Sequence, residues 1–387
     1  MKIFLMVLTL LSTFICRAQA QVSPEICHID REIKRSVKLD PTCHYAGPFV
    51  ISASNVLLDC NNARIDAARA RIGLTVKGKN IRNVTIKNCR ISDALSVGIY
   101  VRDAMKVSDL AKLPLNERYK SAPNRVTIRN TSVINSGTVG IYVGNYSSST
   151  RIENSIISHS GGAGIYLDAS SILSVVRNNI ISQNGFGDER ISNRRAKREG
   201  MAVDSSAYNK ISDNSFYGNA SGGVFLYKNC WEHHTDPDQV PRWQHSNFNT
   251  ITRNRFSEKI GVWIASRQTK KMKSMICGDP EVAPSYYRDY AAFNIVSNNS
   301  FSNGDTGVIV EDDFNSIVNN NFDSLNKACV RLASPLTDKV FKRPVIATVL
   351  TNNNCVRSEG GFVSLGFSTF TWCVRNFWNR RYYSCGE

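Results

Sequence analysis

VTIKNCRI (84–91), VTIRNTSV (126–133), TRIENSII (150–157) and SVVRNNII (174–181) are four copies of one phrase. It continues as KISDNSFY (210–217), TITRNRFS (250–257), NIVSNNSF (294–301) and SIVNNNFD (316–323). The fifth letter is Asn each time: Asn88, Asn130, Asn154, Asn178, Asn214, Asn254, Asn298 and Asn320. A second phrase falls between the copies, as GIYV (98–101), GIYV (140–143), GIYL (164–167), GMAV (200–203), GVFL (223–226), GVWI (261–264) and GVIV (307–310). Its glycines are 42, 24, 36, 23, 38 and 46 residues apart, a period of 23–24 with insertions in the longer intervals. Each unit holds short β-branched segments punctuated by Asn, Ser and Gly, with no helical periodicity. A strand of four or five residues cannot bury its apolar face alone, whereas equivalent strands stacked at ~4.8 Å bury a continuous column. One Asn per turn suits a left-handed corner whose side-chain amide bonds to the next rung. The expected architecture is an all-β solenoid of parallel strands.

Composition agrees with a globular chain. The 387 residues are 42% hydrophobic and 21% charged, with 48 Lys+Arg against 32 Asp+Glu, formally +16. That composition excludes a disordered tail or a collagen-like chain. Residues 1–20, MKIFLMVLTLLSTFICRAQA, have a basic start, an apolar run and an Ala18-Gln19-Ala20 cleavage site. They are expected to be a secretory signal peptide, with no membrane span left after its removal. Without Lys2, Arg17 and Cys16 the net charge falls to +14 and ten Cys remain, an even number that suggests disulfides in an exported chain. Four lie early (27, 43, 60, 89) and four late (329, 355, 373, 385), as staples for the two ends. A secreted or periplasmic location makes nucleic acid a poor partner for the basic excess and an anionic glycan a better one.

These repeats, with the opening YAGPFVISASNVLLDCNNARID (45–66), resemble the right-handed parallel β-helix proteins of the pectate-lyase-like superfamily. The resemblance spans about residues 45–335, with 21–44 as an N-terminal cap and 336–387 as a C-terminal coil and cap. Such caps protect open strand edges. The resemblance implies a carbohydrate-active protein and matches no single catalytic family. Asp-Pro-His-Asp is absent, HTDPD (234–238) being a loose echo, and of the polygalacturonase residues only an isolated Asp312-Asp313 is present.

Chemistry is expected where the chain leaves the second phrase. Down the stack that position runs Arg102-Asp103, Gly144-Asn145-Tyr146, Asp168-Ala169-Ser170, Asp204-Ser205-Ser206, Tyr227-Lys228-Asn229, Ala265-Ser266-Arg267 and Glu311-Asp312-Asp313. Insertions 104–124, 185–199, 229–248 and 267–291 are expected to wall this line. Several are basic, and the third carries Trp231, His233, His234, Trp243 and His245. Rings stack on pyranose faces and cations meet carboxylates. The set suits removal of the C5 proton of a uronate by lyase or C5-epimerase chemistry. Arg267 would neutralise the substrate carboxylate, and Tyr227, Lys228 or His234 would move the proton. Asp204, Trp231, His245, Glu311 and Asp312 are expected to bind substrate.

Blander readings stand beside these. Tyr227-Lys228 is also an amphipathic pair leaving a strand, Arg267 a salt-bridge partner for Glu311 or Asp312, and His233-His234 a solvated pair. Asp168 and Asp204, one rung apart at ~5 Å, fit a retaining-glycosidase spacing, but with no acid identified a helix-turn cap or calcium site is the preferred reading. Glu311-Asp312-Asp313 offers hard oxygens for calcium, with a solvated turn as the default; no other cofactor is called for. The rival functions are a glycoside hydrolase using Asp/Glu pairs and a non-catalytic carbohydrate-binding surface protein. A monomer acting on an acidic polysaccharide is the expectation, and fold alone does not decide among the three.

Overall fold

The structure is a computed structural model, which describes residues 26–68, 70–191, 197–229, 242–265, 291–332, 345–359, 361, 363–365, 368–369, 372–379 and 381–383. The chain winds as a parallel β-helix with three strands per turn. One face is a 12-stranded sheet that includes Arg82–Lys87, Asn124–Arg129, Arg151–Glu153 and Val175–Arg177. The second face includes Arg90–Ser92, Ser132–Ile134 and Ile156–Ser158. The third carries the glycine phrase in Ile72–Lys77, Val97–Arg102, Val139–Val143, Ile165–Leu167, Glu199–Asp204, Gly222–Tyr227 and Ile260–Ile264. From Val97–Arg102 to Ile260–Ile264 the glycine strands pair rung to rung in parallel and in register. The segment expected as a cap already joins the coil, since Ile26–Cys27 pairs with His44–Ala46 and Glu32–Ile33 with Phe49–Ile51, both in parallel. At the far end Asn376–Trp378 meets Arg381–Tyr383 antiparallel, and that hairpin closes the stack of described strands.

Like residues stack inside. Ile86, Ile128, Ile152, Val176, Ile211 and Ile251 form one fully buried column, each aligned with the next. Phe216, Phe256, Phe301 and Phe322 form another, with ring centroids 4.9, 4.8 and 4.8 Å apart and near-parallel planes. At Gly223 and Gly261 an added Cβ would lie 2.6 and 2.3 Å from Phe256 and Phe301, which is why glycine opens these strands.

The asparagine phrase resolves into two neighbouring positions. Asn88, Asn130, Asn154, Asn178 and Asn298 sit at corners with φ between 49° and 55°. Asn214, Asn254 and Asn320 sit one residue later, buried, because Lys210 aligns with Val175 rather than with Ser174. Doublets such as Asn178-Asn179, Asp213-Asn214 and Asn298-Asn299 hide that one-residue offset in the sequence. The buried position forms an amide ladder. Asn179 donates from backbone N (2.9 Å) and Nδ2 (3.0 Å) to Asn214 Oδ1, and Asn214 does the same to Asn254. The pattern runs through Asn299, Asn320 and Asn353 to Asn376. A second ladder, Asn209–Asn249–Asn294–Asn315, follows the glycine strands. A third, Asn184–Asn219, precedes them and ends on Glu258, whose carboxylate accepts Asn219 backbone N and Nδ2.

Disulfides Cys27–Cys43, Cys60–Cys89 and Cys329–Cys355 staple the early and late rungs, and Cys373 is also disulfide-bonded. Closing loops of 16–29 residues stabilises by about 3 kcal/mol each in the chain-entropy account. Cys230, Cys277 and Cys385 lie outside the described residues.

Two predictions follow from the ladders. Asn178→Ala should cost about 1 kcal/mol, the penalty of a left-handed corner. Asn179→Ala should cost at least about 3 kcal/mol, because the buried Ser155 N–H and Ile152 carbonyl lose their partners. Equal losses in chemical denaturation would contradict the two-position assignment. Burial pushes Glu258 up to about 7 against its Asn219 hydrogen bonds. The folded state therefore holds a proton that the unfolded state has lost between about pH 4.5 and 7, so stability falls as pH rises through that window. Glu258→Gln should flatten this slope and raise stability at pH 8 by at most about 3 kcal/mol, read from melts at pH 5 and 8.

Candidate active site

The outer side of the glycine strands is a groove. Its floor is the third letter of the phrase, aligned rung by rung as Tyr100, Tyr142, Tyr166, Ala202, Phe225 and Trp263. Alternation forces this, since Ile99 and Val101 face the core and the residue between them faces out. Tyr100 meets Tyr142 edge-on at 4.8 Å, Tyr142 meets Tyr166 at 5.4 Å, and Phe225 meets Trp263 at 5.1 Å.

The insertions wall both edges of the floor, not one. Insertion 104–124 and the described part of 229–248 follow glycine strands and belong to the trailing edge, and 267–290 lies outside the described residues. Insertion 185–199 precedes Glu199–Asp204 and therefore stands on the leading edge. The trailing wall contains two short helices, Val107–Lys112 and Leu115–Ser121, too short to show as periodicity in the sequence. Leu110 and Tyr146 are fully buried there, packed with Trp243 from the later insertion. Backbone N–H groups of Trp243 (2.6 Å) and Gln244 (3.1 Å) donate to Ser170 Oγ, so that segment folds back across earlier rungs.

At the trailing edge of the floor lies a buried ionic cluster. Arg242 grips Asp168 with Nε (3.1 Å) and Nη2 (3.2 Å), and its Nε is 3.9 Å from Asp204. Tyr142 donates to Asp168 Oδ2 and Tyr166 to Asp204 Oδ2 (2.7 Å). Asn229 gives Asp204 its backbone N–H (2.7 Å) and Nδ2 (2.6 Å). Burial pushes the Asp204 carboxyl above its ordinary range against the pull of Arg242. The Asp168 and Asp204 side chains are 4% and 0% exposed and fully engaged. They orient the floor tyrosines rather than face a substrate.

Two recesses open on the floor. One of about 520 Å³ runs over Tyr100, Tyr142 and Tyr166, with Arg71 and Arg198 on its leading edge. The other, about 440 Å³, lies over Phe225, Tyr227 and Trp263, with Lys197, Arg198 and Glu199 at its rim. Arg198 lines both. In the second recess the Tyr227 hydroxyl donates to Glu199 Oε1 (2.9 Å) and accepts from Arg198 Nη2 (2.8 Å), while Arg198 also holds Glu199 Oε1 at 2.9 Å. Burial, with Glu199 beside it, raises the Tyr227 phenol well above its usual range, so it carries its proton at neutral pH.

The expected site residues are thus dispersed. Tyr227 lines a recess and Asp204 lies buried at the floor's trailing edge. Lys228 is fully buried and does not line the recess. His245 is half-buried in the segment that carries Arg242 and Trp243. Glu311, three rungs on from Asp204, is buried 3.8 Å from Arg331. Asp312 accepts backbone N–H groups of Ala291 (2.7 Å) and Asp313 (2.8 Å). Arg267, Trp231, His233 and His234 lie outside the described residues. Among the described residues no group of three His, Cys, Asp or Glu is placed to hold a metal ion, and no helix is long and apolar enough to cross a membrane. The tyrosine floor and the Arg198-Glu199 pair were missed. The first was visible as the third letter of GIYV, GIYV, GIYL, GVFL and GVWI, the second as the charged pair just before Gly200.

Residues 73–236 match the family model described as a right handed beta helix region. The chain folds as a right-handed parallel β-helix. Comparison with curated proteins gives no match. Among solved structures, a periplasmic alginate epimerase superposes with a TM-score of 0.62 at 12% identity, covering 92% of this chain and 79% of its own. The A-module of a mannuronan C-5 epimerase from Azotobacter vinelandii gives 0.58 at 14%, covering 89% and 87%. The catalytic domain of an alpha-1,3-glucanase in complex with nigerose gives 0.53 at 12%, covering 92% and 71%. At such identities the likeness is one of fold.

Arg242→Met would leave two buried carboxylates without their cation. The expected loss is about 3–5 kcal/mol in chemical denaturation. A loss under 1 kcal/mol would show that the ionic cluster does not hold the trailing wall.

Proposed function

We propose that the protein is an exported enzyme that acts on an acidic, uronate-containing polysaccharide by lyase or C5-epimerase chemistry. The observation that carries this reading is the Tyr227 hydroxyl held between Arg198 and Glu199 inside a recess of a tyrosine-floored, cation-rimmed groove. Arg198 and Lys197 offer positive charge to a sugar carboxylate, and a neutralised carboxylate makes the neighbouring C5 hydrogen acidic. Because Tyr227 is protonated, it serves as a relay. Its oxygen takes the C5 proton as its own proton passes to Glu199, 2.9 Å away. In a lyase the electron pair left at C5 forms the C4=C5 double bond, the bond from C4 to the leaving oxygen breaks, and that oxygen takes up a proton. In an epimerase a proton returns to the opposite face of C5. Two of the superposed proteins are alginate or mannuronan epimerases, which favours this direction without deciding it.

The hydrolase reading is weaker, because Asp168 and Asp204 are occupied by Arg242, the tyrosines and Asn229. Export is supported by the leader-like first 20 residues and by the disulfides, which persist in oxidising compartments.

The test is incubation with alginate, pectate and glycosaminoglycan oligomers, following ultraviolet absorbance for an unsaturated product and deuterium exchange at C5. Tyr227→Phe should lower turnover about 100-fold or more with little change in KM. Undiminished turnover removes Tyr227 from the reaction. Reducing ends released without absorbance or exchange would favour hydrolysis, and binding without any product a non-catalytic role.

A further inference from the structure

Two polar atoms in the smaller recess lack partners. Trp263 Nε1 and Asn229 Oδ1 are buried without a hydrogen bond, and both residues line the 440 Å³ recess. Turning the Asn229 amide over does not relieve this. Its Nδ2 is committed to Asp204 Oδ2 at 2.6 Å, and the reversed amide would set oxygen against carboxylate. A buried donor or acceptor left unmet costs about 1–3 kcal/mol, so a site that keeps one of each calls for a ligand group that supplies both roles.

A hydroxyl does so, donating through its hydrogen and accepting through its oxygen. The rest of the recess suits the sugar that would carry it. Phe225 and Trp263 form an edge-to-face apolar wall for a pyranose C–H surface. Arg198 borders both this recess and the tyrosine-floored one, so a glycan lying in both places here the residue presented to Tyr227 and sets its neighbour over the tyrosines.

We infer that the recess is a specificity subsite for a pyranose with free hydroxyls, Trp263 Nε1–H donating to one sugar oxygen and Asn229 Oδ1 accepting from a sugar hydroxyl. The inference rests on the groove being a glycan site. It adds a discrimination which the acidic reading does not contain, rejection of O-acylated sugar. Acetylation removes the hydrogen that Asn229 must receive and enlarges the residue.

Isothermal titration of the full-length protein with an oligouronate, its O-acetylated counterpart and a neutral hexose oligomer tests it, using wild type and Trp263→Phe. Phenylalanine keeps an aromatic wall and deletes only the indole N–H. Expected is a three- to tenfold loss of oligouronate affinity in Trp263→Phe at unchanged melting temperature, and a loss at least as large in wild type on acetylation. Equal oligouronate affinities for the two proteins, or equal wild-type affinities for the free and acetylated ligands, overturn the subsite. Should the variant fail to fold, the acetylated ligand decides on wild type alone. Neutral and acidic oligomers bound equally by wild type, with the Trp263→Phe loss retained, would uphold the subsite and overturn the acidic reading. Wild type that binds none of the three would overturn both.

Discussion

The amide ladder from Asn179 to Asn376 sets the geometry on which the protein depends. Each asparagine offers one acceptor and two donors to its neighbours at a fixed reach, so successive rungs must superpose at that corner to within hydrogen-bond tolerance. Parallel strands alone would permit slippage by two residues, since the side-chain period is two. A buried amide denied its partner makes such a slip costly. Stacked phenylalanines and aliphatic columns then follow, because like residues meet whenever the rungs are in register.

That register is what makes a site possible. Side chains from strands scores of residues apart, Tyr100 and Trp263 among them, fall on one line because each occupies the same place in its rung. The insertions enter only at corners, leaving the strands unbroken, and the Asn209–Asn249–Asn294 ladder resumes after each excursion. Arg242 completes the trailing wall by reaching back to Asp168, an interaction between residues 74 apart in sequence.

The solenoid was legible because its signal is repeated. Eight copies of a phrase outweigh any single misreading, even though the asparagines quoted for them mix two positions. The site was legible only in part, because its signal is not repeated. Tyr227 was found from its place after a glycine strand. Arg198 and Glu199 were read as part of a basic insertion, since nothing in a linear string says which edge of a groove a loop will border. Asp168 and Asp204 had the right separation for hydrolysis, but their occupation by Arg242 and two phenols is a tertiary fact. Lys228 was read as turning outward from its place just after a glycine strand, while the structure buries it.

The ladders also have a direction. In every one each asparagine's backbone N–H points toward the C-terminal rung and its Oδ1 toward the N-terminal one, even though Nδ2 also donates back to a carbonyl of the preceding rung, so the rung-to-rung bonds lie head to tail like the units of a helix. Their dipoles add along the axis and leave partial positive charge at the C-terminal end of each row. In the short row through Asn184 and Asn219 that end meets the carboxylate of Glu258. The solenoid is thus an electrically polar rod, and at least one of its poles is closed by an acid of the opposite sign.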